Sequence, residues 1–104
     1  MVIKNLTSKE FDNFIKTGIS VVDFYADWCS PCKIMEPILK ELAEEEKGVK
    51  FAKIDVDNEQ ELAQRFDVMS IPTLIFFNGK EQADRITGVV EKEELIKRIK
   101  KISK

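Results

Sequence analysis

Hydrophobic positions along this chain switch repeatedly between a spacing near 3.6 residues and short continuous runs, the pattern of helices alternating with buried strands. The opening VIKNL reads as a short strand. Thr7, followed three residues later by Glu10, forms a capping box that opens a helix with Phe11, Phe14 and Ile15 on one face. Gly18 ends that helix, and Ile19 to Tyr25 is a β-branched and aromatic run of strand length. Met35, Ile38, Leu39 and Leu42 then recur at helical spacing until EEEKG closes the pattern. Pro37 lies inside it, removes the bond to the carbonyl of Lys33 and predicts a kink. VKFAKIDV is a third strand, and DNEQELAQRF is a short helix capped by Asp57 or Asn58, with Leu62, Ala63 and Phe66 inward.

Beyond Pro72, TLIFF is a strand, Asn78-Gly79 a two-residue hairpin turn, and KEQADRITG the antiparallel return, whose thin apolar content suits a sheet edge. The last segment, EKEELIKRIKKI, sets Leu95, Ile96, Ile99 and Ile102 on one helical face and gathers lysines where the helix dipole favours cations. The order is β-α-β-α-β-α-β-β-α. Helical connections between the early strands imply parallel pairing, and the hairpin adds antiparallel strands. The expected architecture is α/β, a mixed sheet with helices on both faces.

Composition restricts the class. With 104 residues, 43% hydrophobic and 35% charged, the chain suits a single soluble domain spanning residues 1 to 104. No run of about 18 apolar residues is present, so no membrane span is expected. The start MVIKNLTSKEF lacks a basic, apolar, small-residue leader, which points to a cytoplasmic home, where thiols are kept reduced. A net charge of −2 with both signs interspersed announces neither a nucleic-acid nor a membrane surface.

The chemistry concentrates in VVDFYADWCSPCKIMEP, residues 21 to 37, which holds both cysteines. A staple works mainly by restricting the unfolded chain, and a bridge between Cys29 and Cys32 closes almost no loop. Structural zinc usually takes four Cys or His ligands, and the chain has two cysteines and no histidine, so a metal would need two copies of the chain. Cys29 follows a strand where a helical pattern begins, which places its sulfur among unpaired backbone N–H groups at the positive end of the dipole. A free thiol of pKa about 8.5 needs roughly 2 kcal/mol to become half ionised at neutral pH. The helix end supplies up to about 2 kcal/mol, and the N–H of Cys32 adds a hydrogen bond. Cys29 is thus a candidate nucleophile. Cys32, one turn further in, should be less exposed and placed to attack Cys29 once that sulfur is bonded to another.

Asp23 falls within the apolar strand, on the side shared by Val21 and Tyr25, while Val22 and Phe24 face the other way. A buried carboxylate has a raised pKa and can take a proton near neutrality. Lys53, a charge inside the third strand, either neighbours Asp23 and tunes it or reaches out to solvent.

Taken together, VVDFYADWCSPCK, SIPTLIFFNGK and ITG resemble the active-site segment, proline strand and glycine loop of the thioredoxin family, and the element order fits from end to end. The resemblance implies the thioredoxin fold, three α/β/α layers with a central mixed five-stranded sheet and four helices. It implies a thiol-disulfide oxidoreductase that reduces protein disulfides, without bound cofactor or metal, as a monomer recharged by a separate thioredoxin reductase. In such proteins the residue matching Cys29 attacks, that matching Cys32 resolves, that matching Asp23 accepts the resolving proton, and that matching Lys53 is its electrostatic neighbour. It further implies a cis Ile71-Pro72 bond that turns the Ile71 backbone outward to pair with an extended substrate, and a contact surface of Trp28, Ser30, Pro31, Ile71, Pro72, Gly88 and Val89. From the residues alone, Trp28 fits the core equally well. Three positions depart from the common family pattern: Ser30 where glycine is usual, Tyr25 where tryptophan is common, and Asp27 at a variable site. A non-catalytic binding module and a dimeric metal-bridging protein remain the alternative readings.

Overall fold

In a computed structural model, residues 3 to 103 are described. The elements are β1 (Lys4–Asn5), α1 (Ser8–Ile15), β2 (Ile19–Tyr25), α2 (Ser30–Glu45), β3 (Val49–Asp55), α3 (Gln60–Arg65), β4 (Thr73–Asn78), β5 (Glu81–Thr87) and α4 (Lys92–Ile102). The strands form one sheet in the order β1-β3-β2-β4-β5, with β2 parallel to β3 and antiparallel to β4. This is the mixed five-stranded sheet expected, although Val2 of the VIKNL strand lies outside the described residues.

Strand alternation distributes the helices. Val21, Phe51, Leu74 and Phe76 point to one face, where they pack with Met35, Leu39 and Leu42 of α2 and Leu95 and Ile99 of α4. Val22, Phe24, Ile54, Ile75 and Phe77 point to the other, against Phe11 and Ile15 of α1 and Leu62 of α3. The result is three layers. Phe11 meets Phe66 and Phe77 at centroid distances of 5.3 and 5.6 Å, within the range of favourable aromatic pairs. Within the layer formed by α2 and α4, Lys92 Nζ donates to Glu41 and Glu45 at 2.5 and 2.6 Å, joining the two helices.

The capping box forms at α1, where the Glu10 carboxylate accepts from the Thr7 N–H at 3.1 Å. α2 runs from Ser30 to Glu45 across Pro37 as one helix. Two local expectations need correction. α3 begins later than DNEQELAQRF suggests, with Glu59 as its N-cap and neither Asp57 nor Asn58 in that role. Asp55 explains the delay: its carboxylate accepts from the N–H of Asp57 at 2.9 Å and from Asn58 Nδ2 at 3.3 Å, holding 55 to 58 as an Asx turn. The hairpin loop is Gly79-Lys80, because Asn78 is still in register with Glu81. Gly79 has φ +59° and Lys80 a negative φ, so the glycine occupies the first central position, as in a II′ turn, and fixes the loop one residue later. β5 lies at the sheet edge with Ile86 as its buried side chain. No helix among the described residues is long and apolar enough to cross a membrane.

Candidate functional site

The central strand β2 delivers the site. It leaves the sheet at Tyr25, and the chain turns through Ala26, Asp27 and Trp28, with the Cys29 N–H donating to the Ala26 carbonyl at 3.2 Å. Cys29 is the N-cap of α2, with extended backbone (φ −90°, ψ 108°). Its sulfur accepts from the N–H of Cys32 at 3.2 Å, filling the place an oxygen takes in an ordinary cap. Pro31 sits in the first helical turn, where the N–H it lacks would go unused.

Cys29 and Cys32 are joined as a disulfide, with their Cα atoms 5.3 Å apart. Each is 4% exposed, so Cys32 is not the more hidden of the two. Both cysteines lie in one apolar pack with Ala26, against Tyr25, Val56 and Ile71.

Asp23 sits two residues before Tyr25 and is 5% exposed. Its Oδ1 has no hydrogen-bond partner. Burial pushes the Asp23 pKa up to about 7; Lys53 pulls against that rise and Glu36 adds to it. Asp23 and Cys32 line the same cleft of about 70 Å³, together with Tyr25, Lys33, Glu36 and Lys53. Lys53 occupies the position opposite Asp23 in the β2–β3 register. Its Nζ nevertheless lies 4.0 Å from Glu36 Oε2 and 5.1 Å from the centre of the Tyr25 ring. It is both neighbour and outward-reaching.

The contact residues named from the sequence differ in access. Trp28 is 70% exposed and therefore not a core residue; its Nε1 donates to Asp57 Oδ2 at 2.8 Å. Ser30 and Pro31 are exposed, Val89 is 47% exposed, Ile71 and Gly88 are half-buried, and Pro72 is buried. The Ile71-Pro72 bond is cis. The Gly88 N–H donates to the Pro72 carbonyl at 2.8 Å, and its φ of +96° suits glycine. Ile71 itself makes no backbone hydrogen bond among the described residues.

Four contributors went unnoticed in the sequence. Asp57 fixes Trp28 across 29 positions, which no local pattern reveals. Val68 and Met69, the latter 90% exposed, line an apolar hollow with Trp28 and Ile71. Glu36 was legible in principle, because it lies one helical turn beyond Cys32 and so on the same face of α2.

Comparison with known proteins decides the family. The thioredoxin family model matches residues 2–101. The chain belongs to the thioredoxin family. A thioredoxin of Staphylococcus saprophyticus is 44% identical over 102 residues, covering 97% of this chain and 98% of that one. Among solved structures, mitochondrial thioredoxin 3 of Saccharomyces cerevisiae in its oxidised form superposes with a TM-score of 0.88 at 38% identity, covering 95% of this chain and 94% of that one. A second solved chain, from work on the thiol-resolving mechanism in yeast mitochondrial 1-Cys peroxiredoxin via glutathione/thioredoxin systems, gives 0.88 at 37% identity over the same shares. The fold is the thioredoxin fold, and the chain is a thiol-disulfide oxidoreductase, a disulfide reductase whose redox-active pair is Cys29 and Cys32.

Proposed function

We propose that Cys29 is the attacking thiolate, Cys32 the resolving thiol and Asp23 its proton acceptor. The Cys29 thiolate attacks one sulfur of a target disulfide, forming a mixed disulfide and expelling the first target thiolate, which takes a proton from solvent. Cys32 then gives its proton to Asp23, and its thiolate attacks the Cys29 sulfur. The second target sulfur leaves as a thiolate and takes a proton from solvent, and the Cys29–Cys32 disulfide remains. Two electrons have passed to the target. A reductase returns them, and Asp23 loses its proton through the cleft.

The observation that carries this reading is the shared cleft: a buried carboxylate with an unpartnered oxygen, titrating near 7, lies beside Cys32. A base of that strength holds a proton briefly and releases it near neutral pH. Attack by Cys29 is supported by its cap position, where the Cys32 N–H and the helix end favour a sulfur anion. Substrate pairing is supported by the free backbone of Ile71, which shares a hollow with the exposed apolar surfaces of Trp28 and Met69.

The targets are proteins carrying exposed disulfides or oxidised thiols. Thiol peroxidases of the peroxiredoxin kind fit that class, and the 37%-identical solved chain comes from a study of how one of them is resolved via glutathione/thioredoxin systems. The partner that recharges the pair is a thioredoxin reductase, the protein works as a monomer, and its compartment is the reducing cytoplasm. Trapping tests the assignment of the two sulfurs. With Cys32→Ser, disulfide-linked adducts to an oxidised model protein accumulate through Cys29; with Cys29→Ser, reduction of that protein falls to background. Adducts through Cys32, or full activity of Cys29→Ser, would reverse or remove the assignment.

A further inference from the structure

A buried carboxylate placed opposite a lysine on the adjacent strand would ordinarily form an ion pair with it, because separation leaves the carboxylate unsatisfied in a poor solvent. Asp23 and Lys53 are opposed in register, yet no ion pair joins them among the described residues, and Asp23 Oδ1 has no partner. The ammonium lies instead 4.0 Å from Glu36 Oε2 and 5.1 Å from the Tyr25 ring centre. Glu36 is itself anchored on α2 by Lys40, whose Nζ lies 3.5 Å from Oε1. Asp23, Glu36 and Lys53 line two hollows, of about 70 and 130 Å³.

We propose that Glu36 is a positioning residue for the exchange reaction: it holds the Lys53 ammonium away from Asp23 and so keeps the buried carboxylate basic enough to take the Cys32 proton. The inference rests on the reading of Asp23 as proton acceptor. Were Lys53 to close on Asp23, the carboxylate would be stabilised as an anion and become a weaker base. The opposed influences of Lys53 and Glu36 on Asp23 agree with this in sign. The other titratable or charged groups lining the two hollows are Tyr25 and Asp27 beside the turn and Lys33 and Lys40 on α2. Lys40 and Lys33 are exposed at the surface. Glu36, with its side chain 48% exposed, can be replaced without opening the core.

The test follows the Asp23 side-chain carboxyl by carbon NMR across a pH titration of the oxidised protein, in wild type, Glu36→Gln, Lys53→Met and the double variant. Glu36→Gln should lower the Asp23 midpoint by roughly half a pH unit, about a threefold change in its acidity. Lys53→Met should raise it. In the Lys53→Met background the Glu36→Gln shift should shrink by more than half, since no ammonium is left to position. An unchanged midpoint in Glu36→Gln, or a shift of full size without Lys53, would overturn the proposal. The pH profile of mixed-disulfide resolution in Glu36→Gln should move in the same direction as the NMR midpoint. If the NMR shift occurs while resolution ignores Asp23→Asn, Glu36 tunes Asp23 and the proton-acceptor reading fails instead.

Discussion

Trp28 and Asp57, 29 positions apart, are joined by a 2.8 Å hydrogen bond from the indole N–H to the carboxylate. The bond has two consequences. It removes Asp57 from the N-terminus of α3, where it would otherwise cap the helix, and it pins a 70%-exposed indole at the rim of the redox pair. An exposed aromatic with a fixed orientation offers a partner a large apolar surface at small entropic cost.

Asp57→Ala should therefore free the indole without touching either sulfur. We expect KM for a protein disulfide to rise several-fold with kcat little changed, and the polarisation of Trp28 fluorescence to fall. Trp28 is the protein's one tryptophan, so the signal is unambiguous. A drop in kcat with KM unchanged would place the bond in the chemical step instead.

Asp23 should make the protein less stable as pH rises. Its folded pKa of about 7 stands above the ordinary carboxylate value of 3.8, so the folded state binds the proton more tightly than the unfolded state. Stability is fully present below pH 4 and is lost progressively up to about 7, by on the order of 4 kcal/mol as an upper figure for a three-unit difference. Asp23→Asn should abolish this dependence and be more stable than wild type at pH 8, with little advantage at pH 4. Urea midpoints across pH measure it, and parallel wild-type and Asp23→Asn curves would contradict it.

Gly88→Ala should cost about 1–3 kcal/mol, because a φ of +96° is strained for any residue carrying a Cβ. Space is not the issue, since nothing lies within 4 Å of the added atom. Relief of that strain would draw the Gly88 N–H from the Pro72 carbonyl, which it meets at 2.8 Å, so protein-disulfide reduction should weaken along with the denaturant midpoint. Unchanged stability would show that the loop adapts freely.

Phe77→Ala should cost about 3–5 kcal/mol, as expected for removing a fully buried aromatic. Phe77 meets Phe11 at 5.6 Å and Phe66 at 5.5 Å, so the cavity falls where α1 and the end of α3 meet the sheet. Thermal unfolding checks it, and a loss below about 1 kcal/mol would mean that the rings of Phe11 and Phe66 collapse into the gap.

Most of the fold was legible because its signals are local. Val21 and Val22 face opposite layers as strand alternation requires, and Thr7 with Glu10 marks the start of α1 within one turn. Errors arose where local signals competed. Asn78-Gly79 is a strong turn dipeptide, but continued pairing of Asn78 with Glu81 displaced the loop by one residue. Asp57 and Asn58 are good caps, yet the Asx turn at Asp55 and the Trp28 indole claimed their side chains. At the site, the strand pattern exposed Asp23, and the loop length between the cysteines exposed the redox pair. The pairing of the Lys53 ammonium with Glu36 was not legible, because it depends on how three elements close together.

The most direct measurement is the pH dependence of mixed-disulfide resolution in a single turnover. A Cys29-linked adduct is formed on otherwise reduced protein, and release of the target thiol is followed from about pH 5 to 9 in wild type and Asp23→Asn. With Asp23 as proton acceptor, the wild-type rate rises through an inflection near 7, where the carboxylate becomes available. In Asp23→Asn that inflection is lost and resolution at neutral pH is slower by about 10- to 100-fold, while the initial attack by Cys29 changes far less. The same inflection and rate in both proteins would contradict the mechanism.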